Sequence, residues 1–226
     1  MPPEAASSDG PESLRAVLDV SRETLARLEA LVALVRKWQP AENLVAPATL
    51  SEIWRRHVAD SAQLVALFPD NRRWLDLGSG GGFPGLILGC FLVGESDAAV
   101  HLVESNGRKC AFLRTAAREL ALPVMVHQGR IESVLADWAH PVDCVTARAL
   151  APLGKLLDLA NPVMTTGVPG AFFKGADFAR EIDEAALSWG LDLVKHQSRI
   201  NMDGVILEIR NPVRREAGRA TGDETR

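Results

Sequence analysis

The sequence predicts an α/β fold: a doubly wound sheet with helices on both faces, a closing antiparallel hairpin and an N-terminal helical extension. Three observations predict this fold. Short apolar runs alternate with segments of helical periodicity from residue 71 onward. A glycine-rich loop connects the first of these runs to a helix. The last two apolar runs are separated by a turn sequence instead of a helix, which is typical of a hairpin.

The first third of the chain is predicted to be helical. Residues 13–38 carry apolar side chains at alternating steps of three and four, which predicts one amphipathic helix stopped by Pro40. A second helix is expected from about residue 49 to residue 67. We therefore expect a flexible leader over residues 1–12 and an N-terminal helical segment over residues 13–70.

Five strands and their helices are expected to follow in alternation. Strands are predicted at 73–77, 100–104, 124–127, 143–146 and 171–173, and helices at 84–93, 108–120, 152–164 and 177–189. The hairpin should comprise 191–194 and 205–209. These elements define a domain over residues 71–211. Residues 212–226 contain few apolar side chains and are expected to form a disordered tail.

Composition narrows the class of protein. The chain has 226 residues, 47% of them apolar, and a net charge of −4. This length suits one α/β domain with an added helical segment. The charge argues against a generic nucleic-acid binder, although a local basic patch is compatible with it. No apolar stretch approaches a membrane span, the N-terminus is unlike a signal peptide, and the three cysteines form no CxxC pair, so a cytoplasmic location is expected.

The segment Asp76–Gly85 is the most informative motif. It lies between two apolar runs and predicts a strand, a glycine loop and a helix. The carboxylate of Asp76 would repel a pyrophosphate but would suit the cationic amino acid part of S-adenosylmethionine. The same residues also satisfy the dinucleotide fingerprint G-x-G-x-x-G, and Glu104 lies near the distance expected of a ribose-binding acid. A methyl-donor site is the favoured interpretation, with a dinucleotide site and a purely structural turn as alternatives.

The predicted topology also favours the methyl donor. Five parallel strands closed by a hairpin with one reversed strand is the arrangement of Rossmann-like class I methyltransferases, whereas dinucleotide-binding sheets are normally all parallel.

Several segments, in order and suitably spaced over residues 38–210, together resemble the RsmG family, also called glucose-inhibited division protein B. They are Asn43-Leu44, Arg56–Ser61, Asp76–Gly85, Leu102–Ser105, Lys109–Leu113, Gly129–Glu132, Val145–Ala149 and Phe173–Gly175. This family comprises the bacterial 16S ribosomal RNA guanine-N7 methyltransferases. The resemblance implies S-adenosylmethionine as methyl donor, 16S (small-subunit) ribosomal RNA or a small-subunit particle as partner, and no DNA partner.

The donor is expected to contact residues at the ends of the first four strands. Asp76, Gly78 and Gly80 would hold its methionine end, and Glu104 would accept its ribose hydroxyls. Ile131 and Glu132 follow the third strand, where the adenine should pack. The expected donor-binding residues are Asp76, Gly78, Gly80, Gly82, Phe83, Glu104, Ile131, Glu132 and Arg148.

Arg148 follows the fourth strand, and the resemblance assigns it to the cofactor site. Its planar guanidinium suits a carboxylate, a phosphate or the O6/N7 edge of guanine. It is expected to position the reactants, and a structural salt bridge is the alternative. Neither an Asn/Asp-Pro-Pro-aromatic sequence nor a Pro-Cys pair is found, so amine and pyrimidine C5 methylation are disfavoured. Guanine N7 carries no proton and needs no general base.

The RNA should present its target base unstacked, because N7 lies in a deep and narrow groove of an A-form duplex. Candidate phosphate contacts are Arg55, Arg56, His57, Arg108, Lys109 and Lys174, each with a solvated surface charge as its alternative. His57 and Asp60 could instead be a structural pair. The remaining histidines show no metal-ligand spacing, and we expect no metal.

The sequence leaves three other functions as alternatives. The protein could methylate another RNA, a protein or a small molecule; it could be a dinucleotide-dependent oxidoreductase; or it could be an RNA-binding module without catalysis. The oligomeric state is not predicted.

Overall fold

A seven-stranded sheet forms the centre of the protein in a computed structural model that describes residues 9–215. Its strands are β1 (Arg73–Leu77), β2 (Ala99–Glu104), β3 (Val124–Gln128), β4 (Cys144–Arg148), β5 (Gly170–Lys174), β6 (Trp189–Gln197) and β7 (Val205–Arg214). Their order is β3-β2-β1-β4-β5-β7-β6. β1 to β5 pair in parallel, and β7 is antiparallel to both its neighbours. The predicted α/β class and its reversed strand are confirmed.

Helices cover both faces of this sheet. They are α1 (Arg22–Glu42), α2 (Asp60–Leu67), α3 (Gly85–Phe91), α4 (Gly107–Glu119), α5 (Ile131–Leu135), α6 (Leu153–Met164) and α7 (Phe178–Ala186). Successive strand residues point to opposite faces, so Trp74 joins the apolar cluster that contains α1, α3 and α4 residues, whereas Leu75 joins the cluster around α6. Within the described part of the chain, no helix combines the length and apolar character that a membrane crossing requires.

The first predicted helix is wrong at both ends. Residues Pro11–Ala16 form a separate 3₁₀ helix, and α1 begins only after Ser21. Ser21 lies within the predicted helix, but in the structure its Oγ accepts a hydrogen bond from the N–H of Thr24 at 3.1 Å and caps the start of α1. α1 also continues through Pro40 and ends at Asn43, which adopts a φ of 46°.

The second predicted helix is divided into three differently wound pieces. A 3₁₀ helix covers Pro47–Glu52, a π-helix covers Trp54–Ala59, and α2 follows. The carboxylate of Asp9 accepts hydrogen bonds from the N–H groups of Trp54 and Arg55, each at 2.9 Å. Such long-range capping and changes of winding leave no trace in apolar periodicity.

The predicted boundaries also differ near the C-terminus. α7 ends at Ala186, and Trp189 already pairs with Arg214 in the hairpin, so residues 187–189 are not helical. β7 therefore includes residues 212–214 that were expected in the tail. The rest of the predicted tail from residue 216, and residues 1–8 of the predicted leader, lie outside the described residues. Helix α5 was not predicted.

Candidate functional site

A cleft of about 1230 Å³ opens where the parallel strands end. Its wall includes residues at or directly after the carboxyl ends of β1, β2, β3, β4 and β5. This is the edge at which open α/β sheets bind their ligands. The volume exceeds the roughly 300–1,000 Å³ of ordinary small-molecule sites, so the cleft has room for more than one ligand.

Most of the predicted site residues meet in this cleft. Those that line it are Gly78, Gly80, Phe83, Glu104, Ile131, Glu132 and Arg148 from the donor set, and Arg55, Arg56, His57, Lys109 and Lys174 from the RNA set. Asp76, Gly82 and Arg108 are not part of its wall.

The backbone of the glycine loop adopts conformations, and lies in a space, that suit glycine and not larger residues. Gly78, Gly80 and Gly82 all have positive φ angles, of 65°, 54° and 86°. A Cβ on Gly82 would lie 2.3 Å from the side chain of Leu86. Gly82 is therefore required by backbone conformation and by packing behind the loop, not by contact with the cleft.

Asp76 lies beneath the glycine loop and does not line the cleft. Its side chain is buried, with 1% exposure. Its Oδ2 accepts a hydrogen bond from the N–H of Gly85 at 3.2 Å, whereas Oδ1 has no partner among the described residues. Burial raises the pKa of Asp76 to about 7. An unpaired buried carboxylate oxygen is uncommon, and a cationic group of a ligand would satisfy it. This observation fits the ammonium group of S-adenosylmethionine.

Glu104 connects the glycine loop to the next helix. Its Oε2 accepts from the N–H of Gly80 at 2.9 Å, and its Oε1 accepts from the N–H of Asn106 at 2.7 Å. Each carboxylate oxygen can accept a further hydrogen bond. Because Glu104 also lines the cleft, it can receive two neighbouring hydroxyl groups of a ribose.

Ile131 and Glu132 begin α5, directly after β3. Both line the cleft on the side of Glu104. Glu132 lies 3.9 Å from Lys155, but both side chains are largely exposed, so this pair leaves Glu132 free to meet a ligand.

Arg148 joins the sheet to the N-terminal segment. Its Nη1 donates to the carbonyl oxygen of Arg56 at 2.9 Å and lies 3.5 Å from Oδ2 of Asp60. Its Nη2 donates to Nδ1 of His57 at 2.6 Å. The guanidinium carbon also lies 5.6 Å from the ring centre of Phe83, a cation–π contact. These contacts fix the guanidinium at the carboxyl end of β4.

His57, one of the candidate phosphate contacts, is buried, and both of its ring nitrogens are engaged inside the protein. Because a guanidinium only donates, Nδ1 of His57 accepts the bond from Arg148, and the ring proton on Nε2 faces Oγ1 of Thr49 at 2.8 Å. Burial, together with the charges of Arg148 and Arg56, lowers the pKa of His57 to about 3. The ring is therefore neutral near pH 7.

Lys174 is also engaged inside the protein. Its Nζ donates to the carbonyl oxygen of Ala151 and pairs with Glu181, each at 2.7 Å, and its side chain is only 6% exposed. The structure therefore does not support Lys174 as a phosphate contact. Arg108 is exposed but lies outside the cleft, 3.8 Å from Glu42.

The sequence missed a covering loop from the N-terminal segment. The side-chain amide of Gln39 donates to the carbonyl of Val45 at 2.7 Å and accepts from the N–H of Val45 at 3.0 Å. These two hydrogen bonds hold residues 43–45, the covering loop, against the glycine motif. A Cβ on Gly81 would lie 2.5 Å from the carbonyl oxygen of Leu44. Asn43-Leu44 belonged to the family resemblance, but nothing in the sequence assigned this contact.

The sequence predicted the hairpin of β6 and β7 but not that its turn would reach the cleft. Residues 200–204 of this turn line the cleft, and Met202 among them is 90% exposed. Its base is fixed by Gln63, whose amide donates to Oγ of Ser198 at 3.2 Å and accepts from the N–H of Arg199 at 2.7 Å.

Comparisons with known proteins agree with this geometry. A family model described as rRNA small subunit methyltransferase G matches residues 24–208. A protein named ribosomal RNA small subunit methyltransferase G from Brucella canis is 52% identical over 201 residues, which is 88% of this chain and 94% of that protein.

Solved structures show a similar fold at low sequence identity. The cofactor-bound protein Rv0187 from MTB has a TM-score of 0.60 at 16% identity, covering 82% of this chain and 91% of that chain. An O-methyltransferase from Bacillus cereus in complex with SAH has a TM-score of 0.57 at 15% identity, covering 88% and 96%. The family model and the Brucella relative both span the elements that build the cleft, and the chain belongs to the rRNA small subunit methyltransferase G family.

Proposed function

We propose that this protein transfers a methyl group from S-adenosylmethionine to N7 of a guanine in 16S (small-subunit) ribosomal RNA. Its family makes it a ribosomal RNA methyltransferase. The observation that carries the proposal is the family match over residues 24–208, because this range includes every residue that lines the cleft. An enzyme that acts on ribosomal RNA works where ribosomes assemble, so we expect it in the cytoplasm.

The chemistry of the cleft supports this donor. S-adenosylmethionine supplies a methyl group already activated by its sulfonium. The two oxygens of Glu104 in the cleft wall suit the donor's ribose hydroxyls. Asp76 does not line the cleft, but its buried Oδ1 has no partner among the described residues and suits the donor's ammonium group. Ile131 and Glu132 also line the cleft, and we expect them to contact the adenine.

The state of the histidine in the cleft wall fits N7 as the acceptor atom. Among the described residues that line the cleft, His57 is the one histidine, and both its ring nitrogens are held by Arg148 and Thr49. A neutral histidine with both nitrogens engaged is poorly placed to remove a proton from a substrate. Guanine N7 attacks through a lone pair and releases no proton, so catalysis here depends on positioning and on exclusion of water.

Arg148 is the residue best placed for that positioning. Three contacts to the N-terminal segment hold its guanidinium in one orientation. It has five N–H donors, so donors remain for a ligand in the cleft. A guanidinium matches the O6/N7 edge of guanine, and here it would align the base by contacting O6.

The basic rim of the cleft suits RNA phosphates. Arg55 and Arg56 are exposed on the π-helix, and Lys109 lies across the cleft on α4. The contact of Arg56 with Glu52, at 3.8 Å between exposed side chains, contributes little and can be exchanged for a phosphate. The cleft also has volume for an unstacked base beside the donor.

A methyl-transfer assay tests this function. Purified protein and labelled S-adenosylmethionine are incubated with 16S RNA, either free or in small-subunit particles, taken from cells that lack the protein. We expect label in one of these substrates and 7-methylguanine as the labelled base by mass spectrometry. Measurable donor binding with no transfer to either substrate, or label on another atom, would contradict the proposal.

A further inference from the structure

Three of the five histidines of the chain lie together, away from the cleft. His101 is on β2, His127 is on β3, and His140 is in the segment between α5 and β4. None of them lines the cleft. Two adjacent parallel strands and a distant loop contribute these histidines. They are therefore far apart in the sequence and match no metal-binding motif there.

The three imidazoles are close enough to share one ion. His101 Nδ1 and His127 Nε2 are 2.9 Å apart, and one ligand nitrogen from each ring lies within 4.8 Å of the other two. A tetrahedral ion with metal–nitrogen distances of about 2.0–2.1 Å separates its ligand nitrogens by about 3.4 Å. Small side-chain rotations would bring all three nitrogens to that separation.

The surroundings keep these rings in place. Trp138 packs against all three rings, with centroid distances of 5.0–5.2 Å. Within residues 9–215, the only side-chain hydrogen bond to a ring nitrogen of the cluster joins His101 to His127. An ion shared by the three rings would replace this hydrogen bond, with each ring turning one nitrogen lone pair toward the metal.

We propose that His101, His127 and His140 form a binding site for one divalent transition-metal ion, with a fourth position left for water. Three imidazole ligands suit Zn²⁺ and its neighbours in the first transition row and do not suit Mg²⁺ or Ca²⁺. The ion would connect the edge strand β3 and the segment before β4 to the interior strand β2. Its role is structural, because metal binding to the folded chain adds to the free energy of unfolding.

The test uses the full chain without a histidine tag, freed of metal by a chelator and dialysed. Zn²⁺ is titrated by calorimetry, and Co²⁺ replaces it to give visible absorption bands of a tetrahedral site. We expect one ion per chain and a rise in melting temperature of about 5 °C at a hundredfold excess over the dissociation constant. No saturable binding of Zn²⁺ would overturn the proposal.

Matched histidine variants then locate the site. His140→Ala removes an exposed side chain, so the fold should persist. Zn²⁺ affinity should fall at least about tenfold, because loss of a residue that only supports a metal ligand already costs about 10–100-fold in affinity. His127→Asn should do the same. His196→Ala is the control, because His196 pairs with Glu208 at 2.9 Å outside the cluster. Equal affinity in all variants and the wild type would place the ion elsewhere and contradict the proposal.

Discussion

Asp76 combines a structural cost with a proposed ligand-binding role. Its pKa is raised from 3.8 to about 7 in the folded protein by burial. The protonated carboxyl binds its proton more tightly in the folded state, which adds to the free energy of unfolding. This contribution is fully present below the unfolded pKa and is lost by the time the pH has risen through the folded pKa of about 7. The free protein should therefore become less stable between about pH 4 and pH 7 through this residue.

The Asp76→Asn variant removes that ionisation. We expect its melting temperature to exceed that of the wild type by several degrees at about pH 8.5 and by much less at about pH 5. Thermal unfolding of both proteins at the two pH values measures this. A difference that does not change with pH would show that Asp76 does not titrate in the folded state.

Glu104 is predicted to decide donor affinity. Glu104→Gln keeps the size of the side chain but replaces a charged acceptor of ribose hydroxyls by an amide. Hydrogen bonds to charged groups contribute about 1.5–3 kcal/mol, so we expect S-adenosylmethionine to bind at least about tenfold more weakly by calorimetry. Glu95→Gln, an exposed carboxylate beside Arg72, is the control and should bind as the wild type does. Equal donor affinity in Glu104→Gln and the wild type would remove Glu104 from the site.

Arg148 has a structural and a proposed positioning role, and a double variant separates them. Arg148→Ala leaves the carboxyl of Asp60 buried without its cation, so we expect a loss of about 3 kcal/mol in the free energy of unfolding. Adding Asp60→Asn should restore much of this stability, measured by denaturant unfolding, while methyl transfer stays low. Recovery of transfer together with stability would mean that Arg148 only holds the N-terminal segment in place.

The covering loop is predicted to shape the donor site through its contact with Gly81. In Gly81→Ala the new Cβ would meet backbone of Leu44, which cannot rotate away, so the loop must move. We expect a loss of about 1–3 kcal/mol in stability and weaker donor binding, measured by unfolding and calorimetry. Gly154→Ala in α6 is the control: the nearest atom is 4.0 Å away, and stability should not fall. Unchanged donor binding in Gly81→Ala would show that the loop does not shape the donor site.

The sheet could be predicted from the sequence because its signal is local. Buried parallel strands such as β1 and β2 are short apolar runs, and each is followed by a helix with its own periodicity. The N-terminal segment could not be predicted in this way. Its winding depends on the contact of Asp9 with the π-helix and on the side-chain cap at Ser21, and periodicity records neither.

At the scale of the whole molecule, the sequence predicted which residues reach the site but not their tertiary contacts. Residues at strand ends, such as Glu104 and Arg148, were predictable because the carboxyl ends of parallel strands meet at one edge. Their partners were not predictable. Arg148 meets His57 across 91 positions of the chain, which converts an expected phosphate contact into a neutral internal one. The histidine cluster is another product of tertiary packing alone.

The proposed reaction places one methyl group on N7 of a guanine in small-subunit ribosomal RNA. The most direct measurement compares 16S ribosomal RNA from cells with and without this protein, digested and quantified for 7-methylguanosine by mass spectrometry. We expect the RNA to lose one 7-methylguanosine when the protein is absent, and to regain it with the wild type but not with Glu104→Gln. Equal 7-methylguanosine content with and without the protein would contradict the claim.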